Sequence, residues 1–215
     1  MKFLNKFNIT INNEDLLWEA VTHKSYSNEN NTKNYERLEF LGDSILNMIV
    51  SEYLIENYNL EEGDMSKVRA TYVCENALCE YAKVVGYVPY IRLGKGLMHD
   101  LKPSIIADVF EAVVAVIYLE HGFDVVKKYI YEVVIPAIVA EKHFYTDYKT
   151  ALQEMIHTNK KSLEYVVVNE EGPAHDRIFT VDVIVDGIVF GTGVGKSKKD
   201  AEQKAAYDAF SKQAK

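Results

Sequence analysis

The amino-acid sequence predicts an all-α N-terminal domain followed by a small α+β domain of order α-β-β-β-α. Three observations carry that expectation. Helical patterns fill most of residues 1–145, where strand signals are sparse. Beyond them come three runs of alternating or β-branched residues, Leu163–Asn169, Arg177–Asp186 and Ile188–Gly195. The Asp186-Gly187 pair between the last two runs is a strong hairpin signal. The 215-residue chain is therefore divided into domains 1–145 and 146–215.

The elements follow in order. Asn13 precedes EDLLWEAVTH, a helix start with acids in the first turn, where the helix dipole favours them. The polar stretch SNENNTKN then reads as a loop before the helix that carries YERLEFLGDSIL, residues 35–46. Helical patterns continue over Met65–Val73, Glu75–Val85, Ile105–Leu119 and Phe123–Val139. In the second domain a helix over Tyr148–Thr158 leads into the three strands, and a helix over Lys198–Ser211 closes the chain. One sheet covered by two helices makes a separate small domain.

Composition narrows the function classes. No apolar run is long enough to span a membrane, and MKFLNKFNIT turns polar too soon for a secretory signal. Cys74 and Cys79 lack a second pair or a nearby His to complete a zinc site, and read as idle thiols in a reducing cytosol. A cytoplasmic protein is expected. The net charge of −8 argues at first against a nucleic-acid partner. It is unevenly placed, however: residues 1–145 carry −7 and residues 146–215 only −1. Where the lysines of the second domain cluster matters more than the bulk charge.

Two apolar helices each carry a pair of acids. Glu39 and Asp43 are spaced i,i+4 and share one helix face, with Glu36 and Asn47 on the same arc. Leu38, Leu41, Ile45, Met48 and Ile49 fall on the opposite side, and Gly42 beside Asp43 marks a close helix approach. In PSIIADVFEAVVAVIYL, residues 103–119, Asp108 and Glu111 are the only charges, spaced i,i+3. A solvated acidic face is the bland reading of the first group, and an ion pair with Lys102 or Arg37 that of the second. The sharper reading joins all four acids in one metal site, because buried carboxylates need a positive partner. Hard oxygen ligands select Mg²⁺ or Mn²⁺ over zinc, and such a site suits phosphodiester hydrolysis. The scattered His23, His99, His121 and His143 read as ordinary residues.

YERLEFLGDS resembles the signature of the ribonuclease III family. THKSY (22–26), EGDMSKVRA (62–70) and KPSIIADVFEAVVAVIYLEHG (102–122) resemble its other blocks, so the likeness covers essentially the whole chain. It implies that Glu39, Asp43, Asp108 and Glu111 are the metal-binding catalytic acids, with Asp43 and Glu111 the most directly catalytic. Glu36 and Glu62 match supporting acids near the cleft. Tyr35 stands where the family's usual form has Asn, a departure that on the sequence alone touches no ligand.

The second domain resembles a double-stranded RNA-binding domain, which reads A-form shape across two minor grooves. Gln153 and Glu154 fit its groove-facing helix positions, and Gly172-Pro173-Ala174-His175 its first loop, with His175 reaching the groove. Lys196, Ser197, Lys198 and Lys199 fit its phosphate contacts at the start of the last helix. The run GTGVGKS, 191–197, imitates a phosphate loop, but a Walker A motif needs Gly where Phe190 stands, so no nucleotide cofactor is expected.

The resemblance implies an Mg²⁺-dependent endoribonuclease of double-stranded RNA, with Mn²⁺ a substitute. It implies a homodimer whose joint cleft cuts both strands, leaving 5′-phosphates, 3′-hydroxyls and short 3′ overhangs. Precursors of ribosomal RNA and other structured transcripts are the implied substrates. A non-cleaving RNA-binding or ribosome-associated protein and an acidic helical scaffold are the alternatives.

Overall fold

The structure, a computed structural model, describes residues 1–98, 100–142, 144, 148–158, 161–173 and 177–213. The chain divides into two compact units, Met1–Phe144 and Tyr145–Lys215.

The first unit is helical: α1 (Glu14–Ala20), α2 (Lys24–Asn30), α3 (Glu36–Asn57), α4 (Glu62–Tyr72), α5 (Glu75–Val85), α6 (Pro103–His121), α7 (Phe123–Val133) and α8 (Ile135–Val139). α6 is its axle. Val109, Phe110 and every residue from Ala112 to Ile117 are fully buried, as a helix apolar on all sides requires. α1, α3, α5 and α7 pack around it.

Besides shifts of two or three residues at element ends, such as α1 stopping at Ala20 and α4 starting at Glu62, two expected segments differ in kind. The segment read as a loop from Ser27 onward begins inside α2. That helix is set by its ends rather than by an apolar stripe: His23 Nδ1 accepts from the Ser25 backbone N–H at 3.1 Å, and left-handed Asn31 stops it. The helix expected over Phe123–Val139 is two helices, broken at Val134. Pro136 lacks an N–H and is tolerated only in a first turn, which is where α8 places it.

The second unit holds α9 (Tyr148–Thr158), β1 (Leu163–Glu171), β2 (Ile178–Val185), β3 (Ile188–Gly195) and α10 (Lys198–Gln213). The strands form an antiparallel sheet in the order β1-β2-β3. Leu152 and Ile156 of α9 and Ala201, Ala205, Ala206 and Ala209 of α10 bury Val181, Val183 and Val185 of β2. Asp186 and Gly187 have φ of 48° and 80°, the left-handed pair that a tight hairpin needs. The glycines of GTGVGKS have a packing role. A Cβ at Gly191 or Gly193 would lie 2.4 Å from Ala205 O or 2.2 Å from Ala201 O, so they let α10 sit against β3.

Candidate active site

The site begins at the crossing of α3 and α6. A Cβ on Gly42 would lie 1.8 Å from the backbone oxygen of Glu111, so the two helices touch backbone to backbone. Asp43 follows Gly42 directly and Glu39 lies one turn before it, while Asp108 sits one turn before Glu111. The crossing thus brings together the two acid pairs read from the sequence.

Their electrostatics record the crowding. Burial, then the charges of Asp43, Glu39 and Asp108, push the Glu111 carboxyl up to about 8. Glu39 is raised by burial and then by Asp108, Glu36 and Asp43. Burial also raises Asp108, against the opposing effects of a Tyr35 hydrogen bond and of His23. Among the described residues, no ion pair reaches any of the four acids. Lys24 instead pairs with Glu36 at 2.9 Å, and Lys127 with Glu52 at 2.6 Å. The ion pair with Lys102 or Arg37 considered for α6 is therefore not formed among the described residues.

Two neutral side chains hold the acids. Asn47 Nδ2 donates to Asp43 Oδ1 at 2.6 Å. The Tyr35 hydroxyl donates to Asp108 Oδ2 at 2.9 Å. The expectation that Tyr35 touches no ligand is corrected here, since Asp108 is one of the four acids. The contact joins residues 73 positions apart and exists only because α3 begins beside α6. Burial and the Asp108 charge push the Tyr35 hydroxyl well above the ordinary tyrosine range, so it remains a donor. His23 is also closer to the site than its sequence context implied. Its ring centroid lies 5.8 Å from that of Tyr35. Burial lowers its pKa against the pull of Asp108 and Glu36. The only sequence signal for it was its place in THKSY.

The supporting acids differ. Glu36 is exposed, paired with Lys24, and adds to the field on Glu39. Glu62 is exposed in the first turn of α4 and accepts from Ser66 Oγ at 3.2 Å. No interaction among the described residues ties Glu62 to the four acids. A separate cleft lined by Trp18, Glu19, Thr22, Lys33 and Arg92 contains none of them.

The donor set fits a hard divalent cation. It consists of carboxylate oxygens, with Glu39 and Glu111 each raised by burial and then by the charges of neighbouring acids, and no cationic side chain pairs with the four among the described residues. Among the described residues, no three His, Cys, Asp or Glu side chains converge into a ready-made cage. Mg²⁺ does not require one, because it keeps several waters and is held through one or two carboxylates plus substrate phosphate.

In the second unit Lys196, Ser197, Lys198 and Lys199 are all exposed at the start of α10. Ser197 Oγ caps the helix by accepting from the Asp200 N–H at 3.1 Å. Lys198 reaches Glu170 at 3.1 Å. Gln153 is half-buried on α9. The side chain of Glu154 and the whole of His175 lie outside the described residues.

Comparison with known proteins agrees with both units. Residues 13–138 match the Ribonuclease-III-like family, and residues 148–213 match the Double-stranded RNA binding motif. Ribonuclease 3 of Listeria innocua is 45% identical over 207 residues, covering 92% of this chain and 90% of that one. Ribonuclease 3 of Streptococcus thermophilus is 44% identical over 220 residues, covering 97% and 95%. The nuclease domain of ribonuclease III from Campylobacter jejuni, described for flexibility in a region involved in dimer formation, superposes with a TM-score of 0.59 at 33% identity. It covers 63% of this chain and 95% of that one. With its helical nuclease domain and its double-stranded RNA-binding motif, the chain belongs to the ribonuclease III family.

Proposed function

We propose that this protein is a Mg²⁺-dependent endoribonuclease that hydrolyses phosphodiester bonds in double-stranded RNA. One observation carries the reading: the pairs Glu39/Asp43 and Asp108/Glu111 flank a backbone-close helix crossing, near enough to act on Glu111 electrostatically, and no ion pair reaches them among the described residues. Glu39, Asp43, Asp108 and Glu111 would hold Mg²⁺, or Mn²⁺ in its place. When bound there, the ion supplies a water of lowered pKa and positive charge against the phosphate oxygens.

The chain's own residues do the rest. Asn47 fixes one oxygen of Asp43, and the touching helices hold the acids at a set spacing. Without a cation this acidic face repels an RNA backbone, so binding at the cleft depends on the ion as well. The second unit retains the duplex by shape and phosphate contact, through Gln153, Glu154, His175 and the Lys196–Lys199 segment. Glu36 and Glu62 act as supporting acids. One set of acids serves one strand, so cutting both strands of a duplex calls for a two-fold homodimer. The products are 5′-phosphate and 3′-hydroxyl ends with short 3′ overhangs, from precursors of ribosomal, messenger and transfer RNA. No helix among the described residues is long and apolar enough to cross a membrane. The proposed site of action is the cytoplasm.

End-labelled duplex RNA incubated with the protein tests the reading. Cutting in Mg²⁺, none in EDTA, and none of single-stranded RNA is the expected pattern. Retention of duplex without cutting in either Mg²⁺ or Mn²⁺ would move the function to RNA binding alone.

The phosphate contacts give a separate expectation. Replacing Lys196, Lys198 and Lys199 together by Ala should weaken duplex binding across sequences. It should also flatten the salt dependence of log Kd by about one unit per lysine that touches phosphate. Titrations in EDTA over a range of KCl concentrations measure both; an unchanged slope would place the RNA elsewhere.

A further inference from the structure

Tyr35 is an odd residue to find beside an acidic cluster. The residue is 3% exposed, and its backbone N–H donates to Thr22 O at 3.0 Å, which anchors the start of α3. A ring held this firmly cannot swing its hydroxyl to water. A buried Tyr hydroxyl needs a hydrogen-bond partner, and among the described residues Asp108 Oδ2 at 2.9 Å is that partner. The carboxylate is constrained in return: it is half-buried, and one of its oxygens is committed to a rigid donor.

We infer that Tyr35 is a positioning residue for the metal site, acting through Asp108 by binding Oδ2 and leaving Oδ1 as the oxygen that meets the ion. The assignment rests on the metal-site reading proposed above. Carboxylates that ligate metals are themselves oriented by hydrogen-bonding partners, whose removal typically lowers metal affinity or activity by about 10–100-fold. Tyr35 differs from a carbonyl or amide partner in being fixed by core packing as well as by its bond.

The test is Mn²⁺ binding to the full chain without RNA, read from the free-ion electron paramagnetic resonance signal. Wild type, Y35F, D108N and the double variant are compared. Y35F keeps the buried ring and removes only the hydroxyl. It is expected to weaken Mn²⁺ binding roughly tenfold or more. In the D108N background the same change should have no further effect, because its route to the ion is already gone. Duplex RNA affinity in EDTA should be the same for Y35F and wild type.

Melting in EDTA fixes a temperature at which all four proteins are folded, and the cycle cancels any general loosening. Unchanged Mn²⁺ affinity in Y35F overturns the assignment, as does an equal loss in both backgrounds, which would mean a structural role only. Wild type that binds no Mn²⁺ is a different failure: it overturns the metal-site reading itself, and this inference with it.

Discussion

Glu111→Gln is expected to lower duplex cleavage by at least about two to three orders of magnitude, the range for removing one well-placed charge-stabilising group. The same change should make the ion-free protein more stable. In the folded chain the Glu111 carboxyl is pushed up to about 8 from an ordinary value of 4.5. Below pH 4.5 the group is protonated in folded and unfolded chains alike and contributes nothing. As pH rises toward 8 the unfolded chain ionises more readily, so folding stability falls; above 8 the full penalty is present. The whole shift corresponds to about 5 kcal/mol. Partial exposure and solvent screening reduce it to about 2 kcal/mol. Gln is neutral at every pH and escapes the penalty. In EDTA at pH 8 its melting temperature should exceed that of wild type by about 4–8 °C, and at pH 4 the two should coincide. Added Mg²⁺ should reverse the order, stabilising the wild type by mass action and leaving the variant nearly unmoved. Calorimetry across pH together with gel assays of cleavage measures both effects. A variant that cuts at the wild-type rate would remove Glu111 from the chemistry. A wild type indifferent to Mg²⁺ would favour a structural role for the acids.

Much of this arrangement was legible in the sequence because local rules agreed with the tertiary outcome. Apolar residues on every side of residues 103–119 mark α6 as central, and the i,i+4 and i,i+3 spacings put each acid pair on one face whatever the rest of the fold does. The bounds of α5, α9 and β3 agree with the sequence expectation; left-handed Gly86 ends α5, and the left-handed Asp186-Gly187 pair precedes β3. What was not legible depends on distant partners. The Tyr35–Asp108 bond joins positions 73 apart, and no local pattern announces it. His23 caps α2 and neighbours the site, two roles that a His does not advertise. Helical arithmetic placed Met48 on the apolar side of α3, but it is 50% exposed. Phe40 is exposed as well, so the stripe of α3 buried within this unit is narrower than its apolar composition suggests. The loop expected from Ser27 onward begins only at Asn31 for a related reason: capping groups, not an amphipathic stripe, stabilise α2.

Gly42→Ala should destabilise the first unit by at least about 3 kcal/mol and lower its melting temperature by roughly 6–12 °C. Helix propensity alone predicts the opposite sign, because Ala in place of a helical Gly gains about 1 kcal/mol. The packing decides the sign. The new Cβ would lie 1.8 Å from Glu111 O, 2.5 Å from its carbonyl carbon and 3.1 Å from its Cα, and a backbone cannot rotate away as a flexible side chain can. Relief requires α3 and α6 to separate. That motion carries Glu39 and Asp43 away from Asp108 and Glu111, and a misplacement of about 1 Å can lower a rate by about 100-fold. Cleavage should therefore fall even at temperatures where the variant remains folded. Gly63→Ala is the matched control. It lies in the first turn of α4, where a Cβ meets nothing within 4 Å, so the same chemical change should raise stability by about 0.5–1 kcal/mol and leave cleavage intact. Thermal melts and single-turnover cleavage of the two variants side by side make the comparison. Opposite signs in stability would show that the helix crossing, and not glycine as such, sets the geometry of the acids; a Gly42→Ala protein as stable and active as wild type would show that the crossing has room to spare.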